Sequence, residues 1–296
     1  MLDYLCDKLL GLYGLFPVPH RGRDRLTSIL EKQAKRRWTG VRSIKRRGFR
    51  IETDLTVDDV GWILYSYGCL DYWDERAIKR SIGPGSVCFD VGAHIGYYSL
   101  LLSKLVGPTG RVISFEPMPY TNSFLRRNLQ NNNIRNVTVE QAAVGVSNGS
   151  VRMGSPSDGR LGQSSISDSG STEVRCTTID LEVARLGLDR LDFIKMDVEG
   201  FELQALTGAS RTIHRFRPKI MFEVNARALQ QHGAHPDQLG TFFKSKDYNL
   251  FEAKAGRLVA CNNLAQGPSY FNIFALPHVH SVSMLAVAAR AAGGSS

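Results

Sequence analysis

The sequence predicts an α/β fold: a mostly parallel sheet with an antiparallel edge strand, helices on both faces and a helical N-terminal extension. Three observations predict it. From about residue 84 short β-rich runs alternate with helix-length windows, the rhythm of parallel βαβ units with right-handed crossovers. Those runs are nearly continuously apolar, as strands covered on both faces must be. The 296 residues suffice for one such domain with extensions. A hydrophobic content of 43% with 22% charged residues excludes wholesale disorder, collagen-like repeats and a multi-pass membrane protein.

Residues 1–60 read as a basic, partly helical extension. Leu2, Leu5, Leu9, Leu12 and Phe16 recur at three- and four-residue steps, one apolar stripe on a helix. That stripe packs on its own domain, on a second copy in a homodimer, or at a membrane interface through residues 1–50, where the basic run 32–50 attracts anionic lipid. The acidic start lacks a small-residue cleavage site, so it is no signal peptide, and the apolar run is too short to span a bilayer.

Residues 61–280 form the main domain. Residues 86–90 (SVCFD) read as a buried strand, followed by a Gly-rich turn and a helix over 97–106. Gly107-Pro108-Thr109-Gly110 punctuates before the strand 111–116 (RVISFE), a helix over 119–131 and a strand over 137–144. Residues 191–198 (LDFIKMDV) and 219–224 (KIMFEV) repeat the form. Residues 249–253, a turn at 254–257 and 270–276 read as a hairpin that supplies the antiparallel edge. The Ser-, Gly- and Asp-rich stretch 154–172 is either a mobile surface loop or a lid, and 281–296 reads as a disordered tail.

Charge is unevenly spread. Residues 1–50 carry 13 Lys/Arg against 4 Asp/Glu, and the rest carries 24 of each. A neutral body does not suit gripping nucleic acid along an active face. Five scattered cysteines without a CxxC pair argue against a disulfide scaffold or zinc ribbon and for a reducing, cytoplasmic setting.

The chemistry concentrates at three strand ends. Phe89-Asp90-Val91-Gly92-Ala93-His94-Ile95-Gly96 puts a tight turn where an open α/β sheet binds ligands. Gly92 and Gly96 are expected to let the backbone approach a ligand, and the helix after them offers N–H groups to a negative group. The nicotinamide fingerprint would need Gly at His94. Asp90 instead suits a cationic cofactor such as S-adenosylmethionine (SAM). Glu116 ends the next strand, where a carboxylate accepts from ribose hydroxyls. Lys195, Asp197, Glu199 and Glu202 crowd charge after a buried strand, which is costly unless paired, hydrated or used.

FDVGAHIGYYS, SFEP, QAAV and IKMDVEGFE followed by IMFEV, in this order, resemble the FkbM family of SAM-dependent methyltransferases over residues 83–276. The resemblance implies the class I methyltransferase (Rossmann-like) fold, a seven-stranded sheet whose last strand is antiparallel. It implies O-methylation of a hydroxyl on a saccharide, glycolipid or other natural product. Asp90, Gly92, Ala93 and Gly96 would form the methionine pocket, Glu116 would hold the ribose, and Ala142 and Ala143 would flank the adenine. Asp197 would face the methionine end or the acceptor, with the ring of Tyr97 or Tyr98 near the sulfonium. The family usually has Asn where this chain has His94.

For such a transfer the general base is expected to be Glu199 or Asp197, steadied by Lys195. A Mg²⁺-assisted variant using Asp197, Glu199 and Glu223 is less favoured, and no protein metal ligands are assigned. An RNA methyltransferase with a basic N-terminal hand and a non-catalytic SAM-binding protein are the alternatives.

Overall fold

A strand buried on both faces needs successive apolar residues, and the central strands meet that need. The computed structural model describes residues 39–154, 164–167, 169–268 and 270–278. The amphipathic stripe at 1–19, the basic residues up to 38, the tail 281–296 and positions 155–163 of the candidate lid lie outside the described residues.

The first described element is unlike the expected helical extension. Strands β1 (Val41–Arg46) and β2 (Phe49–Asp54) form an antiparallel hairpin whose Ile44, Phe49 and Ile51 enter the core. Arg42, Lys45 and Arg50 fall on exposed positions while Arg46 is buried, its guanidinium donating to the Leu64 and Tyr65 carbonyls, so period-two patterning was present beneath most of the charge. Helices α1 (Asp59–Tyr67) and α2 (Tyr72–Ser81) follow. Asp58 caps α1 by accepting from Val60 N, and Gly68 ends it in the left-handed region.

The βαβ succession then unfolds: β3 (Val87–Val91), α3 (Tyr97–Val106), β4 (Arg111–Phe115), α4 (Pro119–Asn131) and β5 (Val137–Glu140). The expected third strand splits after Glu140. Ala143–Val144 (β6) leaves the main sheet for a smaller one with β7 (Gly149–Gly154), β8 (Ser165–Ile166) and β9 (Thr172–Thr177), in the order β6-β9-β7-β8. The stretch read as loop or lid is therefore bounded by strands, with β8 paired to β7.

After α5 (Ile179–Arg185) come β10 (Phe193–Met196), α6 (Glu202–Thr207), α7 (Ser210–Phe216), β11 (Lys219–Asn225), α8 (Ala226–Gln231) and α9 (Pro236–Ser245). The chain closes with β12 (Tyr248–Lys254), β13 (Arg257–Ala260) and β14 (Tyr270–Pro277).

The main sheet runs β13-β12-β14-β11-β10-β3-β4-β5, eight strands rather than seven. Strands β5, β4, β3, β10 and β11 are parallel. An antiparallel strand does stand at the edge, β13 beside β12, and a second one is internal: β14 lies between β11 and β12 and pairs antiparallel with both. The expected antiparallel pairing of 249–253 with 270–276 is present as β12 with β14, but the turn at 254–257 leads first into β13, which pairs with the other edge of β12 and is the eighth strand.

Two apolar layers flank the sheet. One is centred on Ile78, Leu100, Leu102, Val112 and Phe274, the other on Phe89, Ile113, Ile194, Ile220 and Phe222. Consecutive residues of β3 thus point to opposite layers, with Cys88 in the first and Phe89 in the second. Among the described residues no helix is long and apolar enough to cross a membrane.

Candidate active site

Strand order reverses direction between β3 and β10, and ligands of open α/β sheets bind beyond the carboxyl ends of strands at such a point. An open cavity lies there. Its lining brings together Gly92, Ala93, Glu116, Ala142, Ala143, Lys195, Asp197 and Glu199, contributed by four separate strand ends. Met153 and Ile166 of the small sheet close one side. Sequence reasoning missed that wall, although TEVRCT alternates polar and apolar residues as a half-buried strand does.

Two expected residues do not line it. Asp90 is fully buried beneath the turn, where Oδ2 accepts from Ser99 Oγ at 2.6 Å and Oδ1 stands 3.7 Å from Lys195 Nζ. A strand-end carboxylate on a buried face meets protein before it meets ligand, so Asp90 supports the site through Lys195. Gly96 caps α3 at φ 92°, and a Cβ there would overlap the Leu125 side chain of α4. Gly92 lines the cavity, but a Cβ on it would overlap the Asp197 carbonyl oxygen. Both glycines make room for neighbouring protein elements.

Glu116 is 6% exposed and firmly held. Its Oε2 accepts from the His94 N–H at 2.8 Å, and Oε1 accepts from Met118 N at 3.0 Å and Thr121 Oγ1 at 2.7 Å. A carboxylate offers about four acceptor sites, so Oε1 is saturated while Oε2 keeps capacity for a ligand hydroxyl. The carboxylate therefore fixes the glycine turn and faces the cavity at once. Ala142 and Ala143, 0% and 5% exposed, leave space beside it for a flat ring.

The opposite wall is ionic. Lys195 Nζ donates to the Gly92 carbonyl at 2.8 Å and lies 3.5 Å from Asp197 Oδ2. Burial works against its charge, but Asp197, Asp90 and Glu223 outweigh that and hold its pKa above the usual lysine value. The Lys195 ammonium also lies 5.3 Å over the Tyr98 ring, so this aromatic face has a cation of the protein's own. The Tyr98 hydroxyl donates to Asp71 Oδ2 at 3.3 Å and the Tyr97 hydroxyl to Glu75 Oε1 at 2.5 Å. Both tyrosines are thereby tied to the segment around α2.

Glu199 stands in the turn after β10 at φ 53°, a sparsely populated region for a side-chain-bearing residue. Burial, with Asp197 and Glu202 adding negative charge, pushes its pKa up to about 8. Glu202 is fully buried and braces the turn, Oε1 accepting from Val198 N at 3.1 Å. Burial likewise pushes Glu202 up to about 7, against the opposing pull of backbone hydrogen bonds. Glu223 sits well above the usual carboxylate range through burial and then Asp197, Glu199 and Glu202. Among the described residues no group of three or more His, Cys, Asp or Glu side chains is arranged to hold a metal ion.

The wall opposite Glu116 attracts cations and the Glu116 side accepts hydroxyl donors, which fits a positively charged adenosyl ligand. A model of the methyltransferase FkbM domain matches residues 90–250, which include every side chain in these contacts except Asp71 and Glu75. A protein-L-isoaspartate O-methyltransferase of Aeropyrum pernix is 44% identical over 54 residues, 18% of this chain and 21% of that protein. The counterpart from Methanothrix thermoacetophila is 38% identical over 55 residues, 19% and 26% of the two chains. The chain thus spans about a quarter or less of the length of these curated relatives. An FkbM methyltransferase structure from Methylobacillus flagellatus aligns with a TM-score of 0.44 and 17% identity, over 93% of this chain and 59% of that one.

Proposed function

Because the chain belongs to the FkbM methyltransferase family, we propose that it is a SAM-dependent O-methyltransferase acting on a hydroxyl of a saccharide, glycolipid or other natural product. The observation that carries this reading is the cavity itself, with Glu116 on one side and Lys195, Asp197 and Glu199 on the other. Glu116 Oε2 is placed to accept from a ribose hydroxyl, and Ala142 and Ala143 leave an adenine its space. Asp197 supplies negative charge on the side of the cavity where an ammonium and a sulfonium would lie. Bound SAM supplies a methyl carbon on a positively charged sulfur, a leaving group already activated.

The protein's remaining tasks are alignment and proton acceptance. Holding the acceptor oxygen at near-attack distance is the larger contribution. Glu199 takes the hydroxyl proton: a carboxylate whose pKa is raised toward that of the acceptor is a better base once ionised. Asp197 keeps Lys195 in place, and Lys195 in turn fixes the Gly92 carbonyl and the floor of the turn. The basic residues up to position 50 would hold the enzyme at the inner face of a membrane, near glycolipid acceptors.

Calorimetry with S-adenosylhomocysteine tests the donor site. Wild type should bind it, and Glu116→Ala should weaken binding about tenfold or more, the cost of losing a charge-assisted contact. Absence of binding to folded wild type would sink the reading. Release of the same product across a panel of saccharide, polyketide and RNA acceptors then identifies the acceptor class.

A further inference from the structure

The turn that carries Glu199 has a backbone its own residues do not favour. Glu199 at φ 53° and Gly200 at φ 96° are consecutive left-handed residues, and such a conformation persists only where the surroundings impose it. Glu202 supports it from within, Oε1 accepting from Val198 N at 3.1 Å and Gly200 N at 3.4 Å. The support from outside comes from the end of α8. A Cβ on Gly200 would lie 2.4 Å from the Ala228 carbonyl oxygen and 2.9 Å from His232 Cδ2, so α8 is seated directly on the turn. His232 ends that helix. Its ring stands edge-on to Phe201, with 4.6 Å between centroids and 68° between planes, and donates to the Glu199 carbonyl. Its own carbonyl accepts from Gln204 Nε2 of α6 at 3.4 Å. One residue thus touches the turn at 199, 200 and 201 and also the helix that follows.

We infer that His232 is the positioning residue for Glu199, clamping residues 199–201 so that the Glu199 carboxyl stays at the cavity wall and out of water. The inference rests on the reading of Glu199 as the base. Glu199 and Phe201 line the cavity, and His232 stands behind them, so it acts through the turn. Asp197, Glu202 and, from β11, Glu223 face Glu199 and oppose its charge, while Lys195 favours it. Burial is nevertheless the first cause of its raised pKa. A turn released from His232 lets the carboxyl swing toward solvent, and the lost desolvation brings its titration down toward the ordinary value of 4.5. Burial also holds the His232 ring below the usual histidine value, against the opposing pull of its bond to Glu199. The ring is therefore a neutral donor where the base works, and it adds no charge of its own.

The test follows the Glu199 carboxyl itself, by carbon NMR of the full chain with labelled glutamate and S-adenosylhomocysteine present. The Glu199 signal is the one missing in Glu199→Gln. In wild type it should titrate at about 8. His232→Phe keeps a ring against Phe201 but loses the N–H, and should lower that titration by about one unit or more. His232→Ala, which removes ring and donor together, should lower it at least as far. His232→Gln returns a donor and should restore the wild-type titration. In the Phe variant S-adenosylhomocysteine affinity should stay within about twofold of wild type. With an acceptor from the panel, its kcat should fall about tenfold or more at unchanged KM, as displacement of a catalytic group does. An unmoved Glu199 titration in either folded variant, or a wild-type value near 4.5, overturns the clamp. Turnover of Glu199→Gln within about threefold of wild type overturns instead the base reading on which the clamp rests.

Discussion

Glu199 concentrates the chemistry of the site in one side chain. With its pKa pushed up to about 8 by burial and by Asp197 and Glu202, it holds a proton at pH 7 and releases it as pH rises. If Glu199 is the base, kcat/KM rises through about pH 8 and levels above it. Glu199→Gln should abolish that rise and lower turnover about 10²–10⁴-fold while S-adenosylhomocysteine binding persists. A Gln variant within about threefold of wild type would move the role to Asp197. At this scale the position of a side chain was legible in the sequence where a strand end dictates it. Glu116, Lys195 and Asp197 reach the cavity because each sits at or just past the end of a buried parallel strand. The burial of Asp90 and the packing of the glycines against protein were not legible, since a motif shows residue types but not what fills the space above them. The pairing of Asp58 with His94 was illegible for a different reason: 36 positions separate them along the chain, and only tertiary packing makes them neighbours.

Between elements, the Asn128 amide joins the hairpin β1–β2 to the site. Asn128 of α4 is fully buried, and its Oδ1 accepts from Glu52 N at 2.6 Å. Its Nδ2 donates to Glu52 O at 3.0 Å and to Ile95 O, in the glycine turn, at 2.8 Å. A single side chain therefore joins β2, α4 and the turn that carries His94. Asn128→Ala strips partners from these backbone groups, and urea unfolding should show a loss of about 2–4 kcal/mol, from the roughly 1–3 kcal/mol each buried unpaired group costs. An unchanged midpoint would show that water replaces the amide. The hairpin escaped the sequence reading because its charged residues advertised a solvated extension, and only the inward alternation of Ile44, Phe49 and Ile51 marked it as structure. The βαβ core was legible because its apolar runs have no other home, whereas the length and partners of β14 depend on contacts far away in sequence.

For the whole molecule, the buried carboxyls set the response to pH. Asp74 is pushed up to about 7, Glu202 to about 7 and Glu199 to about 8, in each case first by burial. Their ordinary values are 3.8, 4.5 and 4.5. Between pH 4 and 8 the folded chain thus binds more protons than the unfolded one, so stability falls as pH rises across that window. Below the ordinary values the stabilisation from neutral carboxyls is fully present, and it is lost as pH passes through the folded values. Thermal melts at matched ionic strength should show Tm decreasing from pH 5 to pH 8, with a shallower slope in Glu202→Gln. A rising Tm would mean that Lys195 and its neighbours keep these groups ionised in the fold. One further consequence belongs to the order of the main sheet. Because β14 wedges between β11 and β12, β11 lacks its outer neighbour and β12 its inner one until residues 270–277 arrive. During synthesis the ribosome must therefore deliver almost the whole domain before two open β-edges are sealed, and a product cut short ahead of Tyr270 would present both to other chains.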